Sequence, residues 1–325
     1  MKAAVIERFG EAPVLGDVAE PQADGGRVVA RVRAAAIKNV ERMLVAGTHY
    51  ASARLTPPAP VGLDAVVELP DGRRMYAVVP PPGGAMAERM AVDPKQAVPV
   101  PEGVDDATAA AAPNAGISAW LALEYTGELR AGQSVLVLGA TGVAGALAVQ
   151  LAKKKFAAKQ VVAVGRNVER LDSLTQLGAD RSIALSTDPD EFTAQIAKLH
   201  AESPFDLVLD FLWGEPAERT LRVLSGNDLD ADYQQTTFVQ IGETAGPTIS
   251  LPAAVLRSTG IRLVGQGGGS LPRDVYARVR EILPELFDMI ARGTLQIDTI
   301  TRPLDGVAEA WNERVPSGSR MVLIP

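Results

Sequence analysis

The chain has no cysteine and only two histidines, His49 and His200, in 325 residues. Disulfides, thiolate metal ligands and a cysteine nucleophile are therefore excluded. A structural zinc site cannot be assembled, and a catalytic zinc would depend almost wholly on carboxylates. Long basic runs are missing too. With a net charge of −7, nucleic acid and anionic membrane are poor candidates for the main partner. The stretch 131–152 carries no charge. Its four glycines, Thr141 and the break from β-rich to Ala-rich texture argue against a membrane span. The N-terminal MKAAVIERFGEAPVL has acids at Glu7 and Glu11 and no long apolar core. It does not read as a signal peptide, and a cytoplasmic protein is expected.

What remains is ordinary for a globular chain. Hydrophobic residues make up 47% and charged residues 22%, which supports a large core, and the length suits two domains. The first hundred residues alternate β-formers with Gly and Pro punctuation. MKAAVIERF, GRVVARVRAAAI, DAVVELPDGRRMYAVVP and GGAMAERMAVD read as strands, with a hairpin turn at Asp71-Gly72. Pro57, Pro58 and Pro60, then Pro80, Pro81 and Pro82, mark irregular loops. From about 104 an Ala-rich helix begins, with Asp105 or Asp106 placed to cap it. Strands and helices then alternate: VLVL, a helix over 143–155, QVVAVG, a helix over about 167–177, RSIAL, DEFTAQIAKLH, FDLVLDFL, a helix over about 215–225, TFVQIG and IRLVGQ. That is the signature of a parallel sheet with helices on both faces. An exposed acidic loop is expected at 225–236. A long helix over about 272–292, TLQIDTITRP, a short helix over 305–314 and RMVLIP return to the texture of the beginning.

The loop VLVLGATGVAG sets Gly139, Gly142 and Gly145 between a strand and a helix. A backbone without Cβ can approach a pyrophosphate, and free amides at a helix start suit an anion. Gly139, Ala140, Thr141, Gly142, Val143 and Ala144 are therefore the expected phosphate cradle. The spacing is one residue longer than the commonest dinucleotide fingerprint. The next strand ends in VVAVGRNVERL. An NAD site wants an acid there, whereas Arg166, Asn167 and Arg170 offer guanidiniums and an amide for a 2′-phosphate. NADPH is the expected cofactor. Gly242 and Gly265 end later strands, where a parallel sheet meets its ligand.

These segments together resemble the medium-chain dehydrogenase/reductase superfamily, in its zinc-free quinone oxidoreductase and enoyl reductase branch. AAAAPNAGISAWLAL, GATGVAG, RNVERLDSLTQLGAD, GGAMAERMAV and PLDGVAEAWNERVPSGSRMVLIP carry the likeness, in that family's order along nearly the whole chain. The resemblance implies an α/β protein: a GroES-like β-rich catalytic domain, split in sequence, around a Rossmann doubly wound sheet. The expected division is 1–114, a Rossmann domain over 115–267, and a return of the chain over 268–325. It also implies a homodimer, with the strand IRLVGQ as the edge that pairs. Ser118 falls where the family has a Thr behind the nicotinamide. In AIKNVERMLVAGTHY, Lys38 stands where zinc dehydrogenases carry a Cys ligand and quinone reductases usually an Asn. Asn39 is next to it, and Glu41 replaces the usual Asp.

Chemistry narrows the acceptor. The zinc ligands are missing, and none of the five tyrosines has a lysine four residues on. Reduction of ordinary ketones therefore has little visible support. Quinones and α,β-unsaturated carbonyls take hydride at carbon and need mainly alignment and oxyanion stabilisation. Lys38 could donate to the developing oxyanion or pair with Glu41. Asn39 could orient the carbonyl, and Tyr50 could supply a proton or hydrogen bond. Asn114 is expected at a helix entry, while Trp120, Trp213 and His200 read as structural. A non-catalytic NADPH-binding redox sensor and a carbonyl reductase acting on ketones are the alternatives.

Overall fold

The structure, a computed structural model, describes residues 1–79, 83–185, 188–225 and 233–325. The proline loop at 80–82 and the stretch 226–232 of the expected acidic loop lie outside the described residues. The chain forms two compact units: Met1–Asn114 with Arg280–Pro325, and Ala115–Val279. The sequence placed the second crossing at 267–268; in the structure it falls at 279–280.

The first unit opens with β1 (Lys2–Ile6), β2 (Val14–Asp17), β3 (Val28–Ala36), α1 (Asn39–Ala46), a 3-10 turn at Tyr50–Arg54, β4 (Ala59–Pro60), β5 (Asp64–Glu68), β6 (Arg74–Val78), β7 (Arg89–Val92) and β8 (Val98–Pro99). β5 and β6 form the expected hairpin. Gly72 takes φ +85°, and Asp71 accepts from Arg73 N at 3.1 Å, the local bonding that favours Asp-Gly in tight turns. α1 was not foreseen inside this β-rich stretch. Its Glu41, Leu44 and Val45 are buried at i, i+3, i+4 spacing, and the Glu41 side chain accepts from the Lys38 backbone N–H at the cap. The chain passes from the first unit to the second within α2 (Asp106–Leu121), which is prolonged by a π turn at Ala122–Thr126. Of its two candidate caps, Asp105 accepts from Thr108 N at 2.9 Å, while Asp106 pairs with Arg33 and Arg74.

In the second unit, strands and helices alternate: β9 (Ser134–Leu138), α3 (Val143–Lys154), β10 (Gln160–Gly165), α4 (Val168–Leu177), β11 (Arg181–Ala184), α5 (Pro189–Glu202), β12 (Leu207–Asp210), α6 (Gly214–Leu224), β13 (Gln235–Gln240), α7 (Ala253–Arg257) and β14 (Gly260–Gly265), and the chain passes back to the first unit within α8 (Arg273–Ala291). All six strands are parallel, in the order β11-β10-β9-β12-β13-β14. β9 is buried along its whole length, as a central strand covered on both faces must be. Leu136, Leu138, Val162, Val164, Phe205, Val208 and Phe238 form the core of one face. The strand order reverses between β9 and β12, which opens a ligand crevice at the carboxyl ends of those strands.

The chain then returns through β15 (Asp298–Pro303), a 3-10 turn at Leu304–Gly306, α9 (Val307–Asn312) and β16 (Ser319–Ile324). β16 pairs antiparallel with β3, Val322 opposite Ala36 and Leu323 opposite Ala35. The returning strands thus extend the sheet of β3, β5, β6 and β8, and Val307, Trp311, Met321 and Leu323 join Val32, Val67 and Met86 in one core cluster. The helix expected over 305–314 is shorter and begins as the 3-10 turn. Among the described residues no helix is long and apolar enough to cross a membrane.

Candidate functional site

The glycine loop lies at the switch point. Beyond Leu138 the chain turns over its neighbour, with Gly139 N and Ala140 N both donating to Val164 O of β10 at 3.0 and 2.8 Å. Gly139 takes φ +86°, a conformation that L side chains rarely adopt. A Cβ on Gly145 would overlap the Gly139 carbonyl and Ala140 Cα, so α3 packs against the loop only because that position is glycine. Gly142 caps α3 without a side-chain hydrogen bond, and Val143 and Ala144 are half-buried at its first turn. The uncapped helix start thus offers amide N–H groups and a partial positive charge to an anion. Ala140 and Thr141 are buried beneath this rim.

One strand away, β10 ends at Gly165 and Arg166 follows it, exposed. Asn167 caps α4, its Oδ1 accepting from Arg170 N at 2.9 Å, and Glu169 sits in the first turn. Asn167 thus has a structural duty beside the expected ligand role, and Arg166 is the guanidinium free to turn outward. On the far side of the switch point, Gly242 follows β13 and Gly265 closes β14. Gly265 is exposed with open space around it. Ser118 is half-buried in α2. These residues fit a dinucleotide: a cradle that side chains would fill, an uncapped helix start and an exposed cation at the end of the second strand.

In the other unit, the stretch around Lys38 carries a buried charge cluster. Lys38 is 0% exposed, and its Nζ lies 2.7 Å from both Glu41 Oε1 and Asp64 Oδ1. Burial alone would strip the ammonium of its proton; the two carboxylates outweigh it and raise the Lys38 pKa. Burial also favours protonated Glu41, with Lys38 opposing. The two short contacts to Nζ favour a charged lysine. Asp64 also hydrogen-bonds Tyr76, whose phenol burial pushes well up. Of the two roles open to Lys38, the structure makes the pairing with Glu41, extended to Asp64, and the ammonium does not reach solvent. Its neighbour Asn39 is exposed at the start of α1. Tyr50 is 71% exposed, its ring centroid 4.0 Å from that of His49. His49 Nδ1 accepts from Ala51 N at 3.1 Å and so caps the turn that carries Tyr50.

No family profile matches the chain. It is 27% identical over 335 residues to tdiC of Emericella nidulans, described as a probable NADPH-dependent quinone reductase, covering 91% of each chain. A chloroplastic NADPH-dependent alkenal/one oxidoreductase of Arabidopsis thaliana is 34% identical over 203 residues, which span 56% of this chain and 52% of that one. The quinone oxidoreductase of Thermus thermophilus, whose crystal structures include an NADPH complex, superposes over the full length of both chains with TM-score 0.81 and 30% identity. The chain belongs to the medium-chain dehydrogenase/reductase superfamily, in its quinone and enoyl reductase branch.

Within this reductase, the sequence overlooked Asp210, the last residue of β12 and 0% exposed. Its Oδ1 accepts from Leu212 N and Trp213 N at 2.8 and 3.0 Å, tying down a turn in which Trp213 takes φ +57°. That turn walls the cradle: a Cβ on Gly139 would meet Leu212 and Phe211, and one on Gly242 would lie 2.6 Å from Phe211 O. Burial raises the Asp210 pKa to about 6, against those two backbone bonds. The hint in the sequence was an acid set inside the apolar run LVLDFLW. One expectation is corrected here: Asn114 lies in the middle of α2, exposed, not at its entry. Trp213 is half-buried in this turn and packs against the core of the sheet. Trp120 is buried against Phe156, and His200 accepts from Phe205 N behind α5, both structural as expected.

Arg166→Ala is expected to raise the KM for NADPH about 10- to 100-fold, the worth of a charge-assisted hydrogen bond, with little change for NADH. Equal effects on both cofactors in steady-state assays would remove Arg166 from the 2′-phosphate. Asp210 titrates higher folded than unfolded, so its contribution to stability is present below about pH 4 and lost as pH rises through about 6. In urea unfolding, Asp210→Asn is expected to gain on the unaltered protein as pH rises across this window, by up to about 3 kcal/mol. A pH-independent gap would show that Asp210 titrates normally.

Proposed function

We propose that this chain is an NADPH-dependent, zinc-independent reductase that delivers hydride to a quinone or to the activated C=C of an α,β-unsaturated carbonyl. The observation that carries the reading is Lys38. Where the metal-dependent members place a thiolate ligand, this chain buries an ammonium against two carboxylates. A ligand set for a Lewis acid is replaced by a cation already neutralised, which suits an acceptor that needs no metal to polarise it.

NADPH, when bound, supplies the hydride. The glycine loop and the start of α3 hold the pyrophosphate, and Arg166 with the α4 cap selects the 2′-phosphate. Asn39 and Tyr50, both exposed, are the groups able to meet the acceptor. The Asn39 amide orients its carbonyl, and the Tyr50 phenol donates to the oxygen on which charge develops as the C–H bond forms. The proton that completes the quinol or saturated ketone comes through Tyr50 or from water. We also infer a homodimer in the cytoplasm. β14 is the last strand of its sheet, and its Ile261, Leu263 and Val264 stay half-exposed, an edge that invites a second copy.

Loss of NADPH absorbance with a panel of small quinones, enones and plain ketones tests the activity. Turnover of the first two groups and not the third is expected. Binding of NADPH without turnover would indicate a sensor, and oxidation of plain alcohols would end the proposal. Light scattering on the eluted protein should give twice the chain mass of 34.2 kDa; a monomer would refute pairing through β14.

A further inference from the structure

The carboxyl end of β14 leads into Gln266, a side chain only 6% exposed. Its Nε2 donates to the Ser118 carbonyl at 2.7 Å, and its Oε1 accepts from Thr126 Oγ1 at 2.6 Å. Its backbone N–H donates to Gln240 O at 2.8 Å, continuing the β13–β14 ladder. One amide thus spans from α2, one turn before the π segment, to the last residue of that segment. Inside it, Gly127 N donates to Ala122 O at 2.9 Å, five residues back. π turns are rare and recur at functional sites. This one is held from the end of its own unit by two further side chains. Arg262 of β14 donates to Thr126 O at 3.1 Å and pairs with Glu128, and Arg278 of α8 pairs with Glu124 at 2.9 Å. Those two ion pairs are partly open to solvent and contribute little individually. The buried amide has both its donor and its acceptor satisfied, and breaking it strands polar groups away from water.

The strand order shows what this clamp can influence. The glycine loop and Arg166 end β9 and β10, while Gly242 and Gly265 end β13 and β14 across the switch point. A dinucleotide lying over that point has its adenosine toward β10 and its nicotinamide toward β13 and β14. β10 and β14 stand four strand spacings apart, about 19 Å. Gln266 follows Gly265 directly and bonds Ser118, so it acts on the nicotinamide side alone.

We propose that Gln266 is a positioning residue for the nicotinamide half of the cofactor. It fixes Ser118 and the carboxyl end of β14 at one separation and holds the intervening π turn in its pitch. The adenosine half is left to the glycine loop and Arg166. This rests on the NADPH reading above.

The test compares two ligands on the full chain: NADPH, and adenosine 2′,5′-bisphosphate, which carries the 2′-phosphate but no nicotinamide. In Gln266→Leu the Kd for NADPH is expected to rise about tenfold, the net worth of one or two hydrogen bonds. The Kd for the bisphosphate should stay within about a factor of two, inside the scatter of a contact not made. Thr126→Val removes one arm of the clamp and should give a smaller loss confined to NADPH. It decides the matter if Gln266→Leu does not fold. If the variants lose both ligands equally, or neither, Gln266 is general packing and the assignment is overturned. If the unaltered chain binds neither ligand, the NADPH reading itself fails and takes this one with it.

Discussion

A methyl group does not fit between Gly145 and the carbonyl of Gly139, and the cofactor half of the protein is arranged around that contact. It lets α3 start hard against the end of β9 and directs the first-turn amides into the crevice at the switch point. The contact demands a tight reversal after Leu138, which the paired bonds from Gly139 and Ala140 to Val164 supply. It demands a wall on the other side, which the Asp210 turn supplies. A carboxylate kept from water at the end of an apolar strand is a costly way to hold a turn. Its two backbone bonds show what is gained: Leu212 and Trp213 stay fixed where they bound the cradle.

The charge cluster of the other unit solves a different problem with the same economy of parts. Lys38, Glu41 and Asp64 come from the cap of α1, its first turn and the start of β5. None would be stable buried alone, and their mutual distances make the set tolerable. The cluster ties the short helix that carries Asn39 to the sheet. Buried ion clusters seldom add net stability over a hydrophobic equivalent. Here the cluster does what an apolar patch could not, because partners with directional bonds hold the start of α1 in one register.

How legible this was depended on whether a role is local. The glycine loop, the cation after β10 and the β-α alternation are written in consecutive residues, and the parallel sheet follows from them. α1 was obscured because its buried face is Leu44 and Val45 within a β-rich stretch, and because its cap is a lysine, a residue outside the usual capping set. Asp210 acts through the amides of residues two and three positions on, a bond pattern that composition does not reveal. Gln266 meets Ser118 at a sequence separation of 148, and only the folded sheet brings the two together. The ion pair of Lys38 with Glu41 could be read from their spacing. The inclusion of Asp64 could not, since it depends on where β5 begins.

Lys38 has one more consequence for a protein that handles electrophiles. Quinones and enals add readily to thiols and to free amines. This chain has no thiol, and the Lys38 amine keeps its proton and is sealed from solvent. An ammonium has no lone pair to offer, so the grip of Glu41 and Asp64 that orders the helix also makes Lys38 inert toward alkylation.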